Sequence, residues 1–314
     1  MTRVNYYHKA NQVTGIPQSA QRFCDLSIRQ KTSYYLDLNR VMRYFPRNAR
    51  ISHRFGDVRD VSAFPRIVKT RPLGKNNNNS ILLKLNSVRH FRKINDPFKW
   101  EEKKDLLVWR GKVKKDHRQE FFLKHFHNPH CDLGKTNDPG STDPQGWNKP
   151  FMSIAKQLKY KFVLSIEGNE VATNLKWIAQ SNSLCLMTKP KFESWFMEGT
   201  LIAGYHYVEL NEDYADLSEK ISYYLKHPDE AKAIVTNLND YYRQFENTKK
   251  ERIISLLVMA KYLMTSGQLA PAQPESREAS LDGLLNLDLM GGIPGSGRKA
   301  EGRRIHPAPT IPST

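Results

Sequence analysis

The sequence predicts an α/β fold carrying parallel strands, and three observations predict it. Between positions 159 and 210 an apolar run, 162–166, stops at Gly168, as a strand buried on both faces would. Val171, Leu175 and Ile178 then recur at helical spacing, and a second apolar run, 184–187, follows a Ser181-Asn182-Ser183 break. Upstream, Leu106 to Trp109 runs into Arg110-Gly111 and then into a helical pattern, a second strand-to-helix junction. Strand, glycine turn, helix, strand is the βαβ unit.

Taken in order, residues 1–20 read as a loose lead-in. Residues 22–45 read as a helix with Phe23, Leu26, Tyr34, Leu38 and Val41 facing inward, ended by Pro46. A strand over 50–55 leads to the polar turn Gly56-Asp57-Val58-Arg59-Asp60. In open α/β sheets such turns, beyond the carboxyl ends of strands, are where ligands collect. Residues 67–69 read as a strand, 75–79 as a polar surface loop, and 81–85 as apolar again, with a turn at Asp96-Pro97. After the strand over 106–109 come a cationic segment (Lys112, Lys114, Lys115, His117, Arg118), a helix over 120–126, a loop over 128–149 and a helix over 151–158. Beyond the central stretch a strand is expected over 206–210 and helices over 214–226, 228–245 and 249–264, with Pro228 suited to a first helical turn. From Ser266 on, Pro, Gly, Ser, Ala and charged residues dominate, apart from a leucine-rich patch at 281–290. The expected organisation is therefore a basic domain over 1–105, a ligand-binding domain over 106–265 and a disordered tail over 266–314.

The chain of 314 residues is long enough for two cores, and 39% of it is hydrophobic. No run of about 18 apolar residues exists, and the first residues lack an export signature, so a cytoplasmic protein is expected. Three widely spaced cysteines, Cys24, Cys131 and Cys185, fit a reducing compartment and no disulfide framework. Charge says more. Residues 1–115 hold 26 Lys+Arg against 8 Asp+Glu, residues 116–265 hold 18 against 19, and residues 266–314 hold 5 against 5. The whole excess of +17 lies in the first third. Such a field attracts a polyanion: nucleic acid, anionic lipid or a phosphorylated glycan.

A helix N-terminus beyond the first strand of a βαβ unit is a natural phosphate seat, so the turn Glu167-Gly168-Asn169 is the first place to look for a ligand. At Arg110-Gly111, glycine allows close backbone approach and arginine offers a forked donor for phosphate. Trp177, Trp195 and Phe196 could stack on a base or sugar, although buried aromatics are the commoner outcome. His125, His127, His130 and Cys131 match no zinc spacing, and no DxD-type pair stands ready to chelate a metal.

Several short motifs occur together in one order: Trp109-Arg110-Gly111, Arg118, KYKFVLSIEG ending at Gly168, LKWI at 175–178, SNSLCL at 181–186 and YHYV at 205–208. In that order and spacing the chain resembles glycosyltransferase family 90, the capsule-associated protein 10 domain family, over roughly residues 47–263. It is most similar to short bacterial members that add a hexose to lipooligosaccharide inner core. The resemblance implies a GT-B architecture, two Rossmann-like domains with the nucleotide sugar held mainly by the second. It implies a metal-independent, inverting hexosyltransferase with no cofactor, using UDP-glucose or UDP-galactose as donor. The family's VRDYP aspartate, its proposed general base, matches Asp60, although Val61 and Ser62 replace the tyrosine and proline. Its FRG arginine matches Arg110, beside Gly111. Its helix arginine and lysine match Asn174 and Lys176, so the second phosphate contact passes to Lys176 or Arg118. The family's eukaryotic members carry arginine where Glu167 stands. With Gly168 and Asn169, these complete the donor site that the resemblance implies. The acceptor is an anionic lipid-linked core oligosaccharide, reached at the inner face of the inner membrane. Two other readings stand beside this one: a nucleic-acid or polyanion binder using the basic third, which lacks any helix-turn-helix, RNP or zinc-finger signature, and a non-catalytic family relative.

Overall fold

The computed structural model describes residues 2–28, 31–74, 76–137 and 146–270. Those through Leu269 form one compact unit. The disordered tail expected over 266–314 begins too early: Gln268 exchanges hydrogen bonds with the Arg50 backbone at 2.6 and 2.9 Å and Leu269 packs on the core, while residues 271–314, with the leucine patch, lie outside the described residues.

The chain opens with α1 (Thr2–Tyr7), not with a loose lead-in. Val4 and Tyr7 are buried, the Tyr7 ring stacks on Trp195 at 3.9 Å, and Arg3 pairs with Glu251 at 2.6 Å. Two apolar positions one turn apart are too few to stand out in a polar segment. A short antiparallel ladder joins β1 (Gln21–Arg22) to β2 (Arg50–Ile51). The helix expected over 22–45 is α2 (Thr32–Met42) alone, preceded by a 3-10 turn at Phe23–Asp25. The Phe23 and Cys24 amides donate to the carbonyls of Ala49 and Arg47, which commits that backbone to the ladder. All five expected inward residues are buried.

Four short strands follow: β3 (His53–Arg54), β4 (Arg66–Val68), β5 (Thr70–Pro72) and β6 (Ser80–Leu82). β3, β4 and β6 make a parallel sheet in that order. The loop before β6 is not simply a surface loop, because Asn77 is buried, accepting from Lys9 and donating to the Pro72 carbonyl. After β6 comes the single turn α3 (Ser87–His90).

The second half carries β7 (Lys104–Gly111), α4 (Asp116–His125), β8 (Cys131–Lys135), α5 (Ile154–Gln157), β9 (Tyr160–Leu164), α6 (Leu175–Ile178), β10 (Leu184–Thr188), β11 (Phe192–Ser194) and β12 (Val208–Leu210). Helices α7 (Leu217–Lys226), α8 (Pro228–Arg243) and α9 (Thr248–Thr265) complete it. The sheet order is β12-β10-β9-β7-β8, parallel throughout. Both faces are covered: Val108, Val163 and Cys185 point into one core, Leu107, Phe162 and Leu184 into the other. That is why the strands read as unbroken apolar runs. β8 falls where a loop is expected, since its CDLGK sequence carries little strand signal and it lies at the sheet edge. β11 pairs antiparallel with β5 and so links the two halves. The helix expected over 171–180 is only the four residues of α6, starting seven positions after Gly168. The turn at Gly168 is therefore not capped by a helix N-terminus, and the expected phosphate seat of that kind is not formed.

Candidate active site

The parallel strands of both sheets end toward a common junction. β3 leads through Phe55 to Gly56, whose φ of 103° lies in the left-handed region that favours glycine. This turn presents Asp57. β4, the central strand, ends into Lys69, buried beyond its carboxyl end, and Thr70 follows. From the other sheet, β9 runs on to Glu167-Gly168-Asn169-Glu170. Lys69 bonds Asp57 at 3.2 Å and pairs closely with Glu170. Thr70 donates to the other oxygen of Glu170, and the Asn169 amide donates to Asp57 at 3.0 Å. Burial pushes the Glu170 carboxyl up to about 7 against the pull of Lys69. Burial would also raise Asp57, but the Asn169 and Lys69 hydrogen bonds outweigh it and hold that carboxyl below its ordinary value.

On the other side of the 167–170 loop stands Arg118, in the first turn of α4. Its guanidinium donates to three backbone carbonyls: Glu167 at 2.9 Å, Ile166 at 2.8 Å and Lys112 at 2.8 Å. It lies over the Trp109 ring, 5.2 Å from the centroid. No carboxylate pairs with it among the described residues. Desolvation lowers it to about 10, the sign of a cation without an anion partner. A Cβ at Gly168 would come within 3.2 Å of this guanidinium, so glycine permits the close approach. His117 also bonds the Glu167 carbonyl, at 2.8 Å. The Glu167 carboxylate accepts from the amides of Lys191 at 3.1 Å and Phe192 at 3.2 Å; burial raises its pKa despite them.

The structure thus brings together Arg118, Glu167, Gly168 and Asn169, and adds Asp57, Lys69, Thr70 and Glu170, which the sequence did not single out. The others stand apart. Asp60 is half exposed, held by Arg54 and Arg66 at 2.9 Å each, and hydrogen bonding from Arg66 lowers its pKa. Arg110 turns to Asp132 at 2.7 Å and to the Asp132 carbonyl. Gly111 sits where a Cβ would be 2.6 Å from the Trp109 indole. Asn174 donates to the Leu164 carbonyl at 2.8 Å. Lys176 is fully buried and paired with Glu198. Trp177, Trp195 and Phe196 are core residues. The one sequence signal for Asp57 was its place directly after a glycine at a strand end.

A family model for glycosyl transferase family 90 matches residues 83–280. The chain belongs to glycosyltransferase family 90. The family 90 match runs from the residue after β6 through α9, and so includes Arg118 and the 167–170 loop, while the 56–60 turn, Lys69 and Thr70 lie ahead of it. The chain is also similar to "O-glucosyltransferase LpsA" of Dichelobacter nodosus, 46% identical over 261 residues, 83% of this chain and 81% of the relative. Among the described residues no group of three or more His, Cys, Asp or Glu is placed to hold a metal ion. No helix among them is long and apolar enough to cross a membrane.

Proposed function

We propose that this family 90 member transfers a hexose, glucose in the first instance, from a UDP-sugar to an inner-core heptose of lipooligosaccharide. The two parallel sheets would serve as the two lobes of a GT-B enzyme, one over 1–105 and one over 106–265. The observation that carries the reading is Arg118: a guanidinium answered only by carbonyls, beside a glycine, at the end of a central strand. It is a seat for the donor diphosphate, charge-assisted and forked. Glucose as the hexose is supported by the name of the 46% identical relative.

In the inverting reaction a carboxylate takes the proton of the acceptor hydroxyl. The hydroxyl oxygen bonds to the anomeric carbon from the face opposite UDP. The bond from that carbon to the phosphate oxygen breaks, and UDP leaves with the electron pair, its charge met by Arg118. Of the two carboxylates in the 56–60 turn, Asp57 fits the base better than Asp60. Both carboxyls are held below their ordinary value with both oxygens bonded, so position decides: Asp57 touches the 167–170 loop, whereas Asp60 is turned to Arg54 and Arg66, half exposed. The cation on the diphosphate being Arg118, transfer should be insensitive to EDTA. The basic first third would draw the anionic acceptor at the inner face of the membrane.

The test is UDP release with a panel of UDP-sugars and a truncated core acceptor, for the wild type, Asp57→Asn and Asp60→Asn. Loss of a base is expected to lower kcat by about 10²–10⁴-fold in Asp57→Asn, with Asp60→Asn near wild type. The reverse pattern returns the role to Asp60. Absence of UDP binding and of any transfer sinks the function. Steep salt-dependent duplex binding in its place would favour the nucleic-acid reading.

A further inference from the structure

A cavity of about 660 Å³ opens between α2, α3 and the first turn of α9, lined by Arg40, Arg43, Lys84, Val88, Phe91 and Arg252 among others. Its acids are already occupied. Asp37 receives Arg40 at 2.9 Å and both the amide and hydroxyl of Ser87, at 2.7 and 2.9 Å. Glu251 receives Arg3 at 2.6 Å, Lys84 at 3.0 Å and the Trp195 indole at 2.6 Å. Arg43 and Arg252 remain. Each guanidinium carbon lies 5.0 Å from the Tyr44 ring centroid, and neither has a carboxylate partner among the described residues. Arg43 also donates to the Tyr44 hydroxyl at 2.9 Å, and with the acids of the cleft already paired the uncompensated charge here is positive, which favours a phosphate.

The cavity's position adds a second argument. Leu83 and Lys84, in its wall, directly follow β6, while Lys69 directly follows β4. β4 and β6 are paired, Val68 against Leu82. Neighbouring strands lie about 4.8 Å apart, so the cavity opens beyond the same sheet edge as Asp57 and Lys69. A saccharide presenting one hydroxyl at the junction could rest a distant substituent here.

We propose that this cleft holds a phosphate group of the acceptor saccharide, away from the reacting hydroxyl. The inference rests on the glycosyl-transfer reading for its substrate, but its test does not depend on turnover. Binding of delipidated, phosphorylated core oligosaccharide is measured by calorimetry, before and after phosphatase treatment, with wild type and the double variant Arg43→Gln/Arg252→Gln. Both arginines are exposed, so the fold should be kept; unchanged UDP affinity and circular dichroism check this. Wild type should bind the phosphorylated form about tenfold more tightly than the dephosphorylated one, and the double variant should lose that difference. Equal affinities for both forms in wild type, or an unaltered preference in the variant, overturn the proposal. Arginine-dependent capture by phosphatidylglycerol vesicles, with no preference for phosphorylated oligosaccharide, assigns the patch to a lipid surface and also overturns it. If UDP fails to bind while the phosphate preference holds, the donor reading falls and the cleft stands.

Discussion

A guanidinium resting on three carbonyls gives up hydration without gaining a counter-charge, and an incoming diphosphate supplies one. Arg118→Gln should therefore weaken UDP binding by about 10–100-fold, as loss of a charge-assisted forked contact would, measured by titration calorimetry. Arg110 has the opposite situation. Asp132 takes its guanidinium, Lys149 at 3.1 Å and the Tyr160 hydroxyl at 2.6 Å. Burial would raise Asp132, but the Tyr160, Arg110 and Lys149 hydrogen bonds hold it at about 2. A carboxyl lowered in the folded state contributes stability that is present above its unfolded value and lost as pH falls toward 2. Solvent reaches this cluster and screens it, so Asp132→Asn should cost ~1–2 kcal/mol at neutral pH. Denaturant titrations at pH 7 and pH 3 should find the gap from wild type narrowing at the lower pH. The sequence made Arg118 legible as one of a run of cations after a strand. The family resemblance pointed to Asp60; Asp57 is proposed on contacts invisible in the sequence, Asn169 for Asp57 and Arg54 and Arg66 for Asp60.

At the scale of elements, the strands with both faces covered were readable from their composition, since a buried parallel strand has no polar side to interrupt it. β8 was not, because an edge strand of five residues containing Asp, Gly and Lys looks like the loop around it. The packing of β8 depends on its glycine. A Cβ at Gly134 would lie 2.7 Å from the Arg110 Cδ and Nε and from the Lys149 Cβ. Gly134→Ala should thus displace both cations from Asp132 and cost about 1–3 kcal/mol, as overpacking does. Thermal melting checks this, and UDP affinity should stay near wild type because Arg118 is untouched. α6 was overread for a related reason. Val171, Leu175 and Ile178 are all buried as expected, but residues 171–174 reach the core as irregular chain, with Asn174 bonded to the end of β9.

At the scale of the whole molecule, charge is the property most directly written in the sequence. Residues 1–115 carry a net +18, from 26 Lys+Arg and 8 Asp+Glu, and residues 116–265 a net −1, from 18 and 19. Long-range attraction of an anionic acceptor is screened by salt, while a diphosphate beside half-buried Arg118 is screened less. Raising ionic strength from 50 to 500 mM should therefore raise the acceptor KM by about tenfold or more and the donor KM by less than half that factor on a logarithmic scale. Equal slopes would remove the basic third from acceptor recruitment. What the sequence hid at this scale is the meeting of α1 and α9. Arg3 of α1 and Glu251 of α9 are 248 positions apart and 2.6 Å from each other. Closing so long a loop costs chain entropy, so α1 is expected to dock only once α9 is in place. A contact of such sequence separation is expected to form late in refolding, leaving Val4 and Tyr7 open to protease until it does.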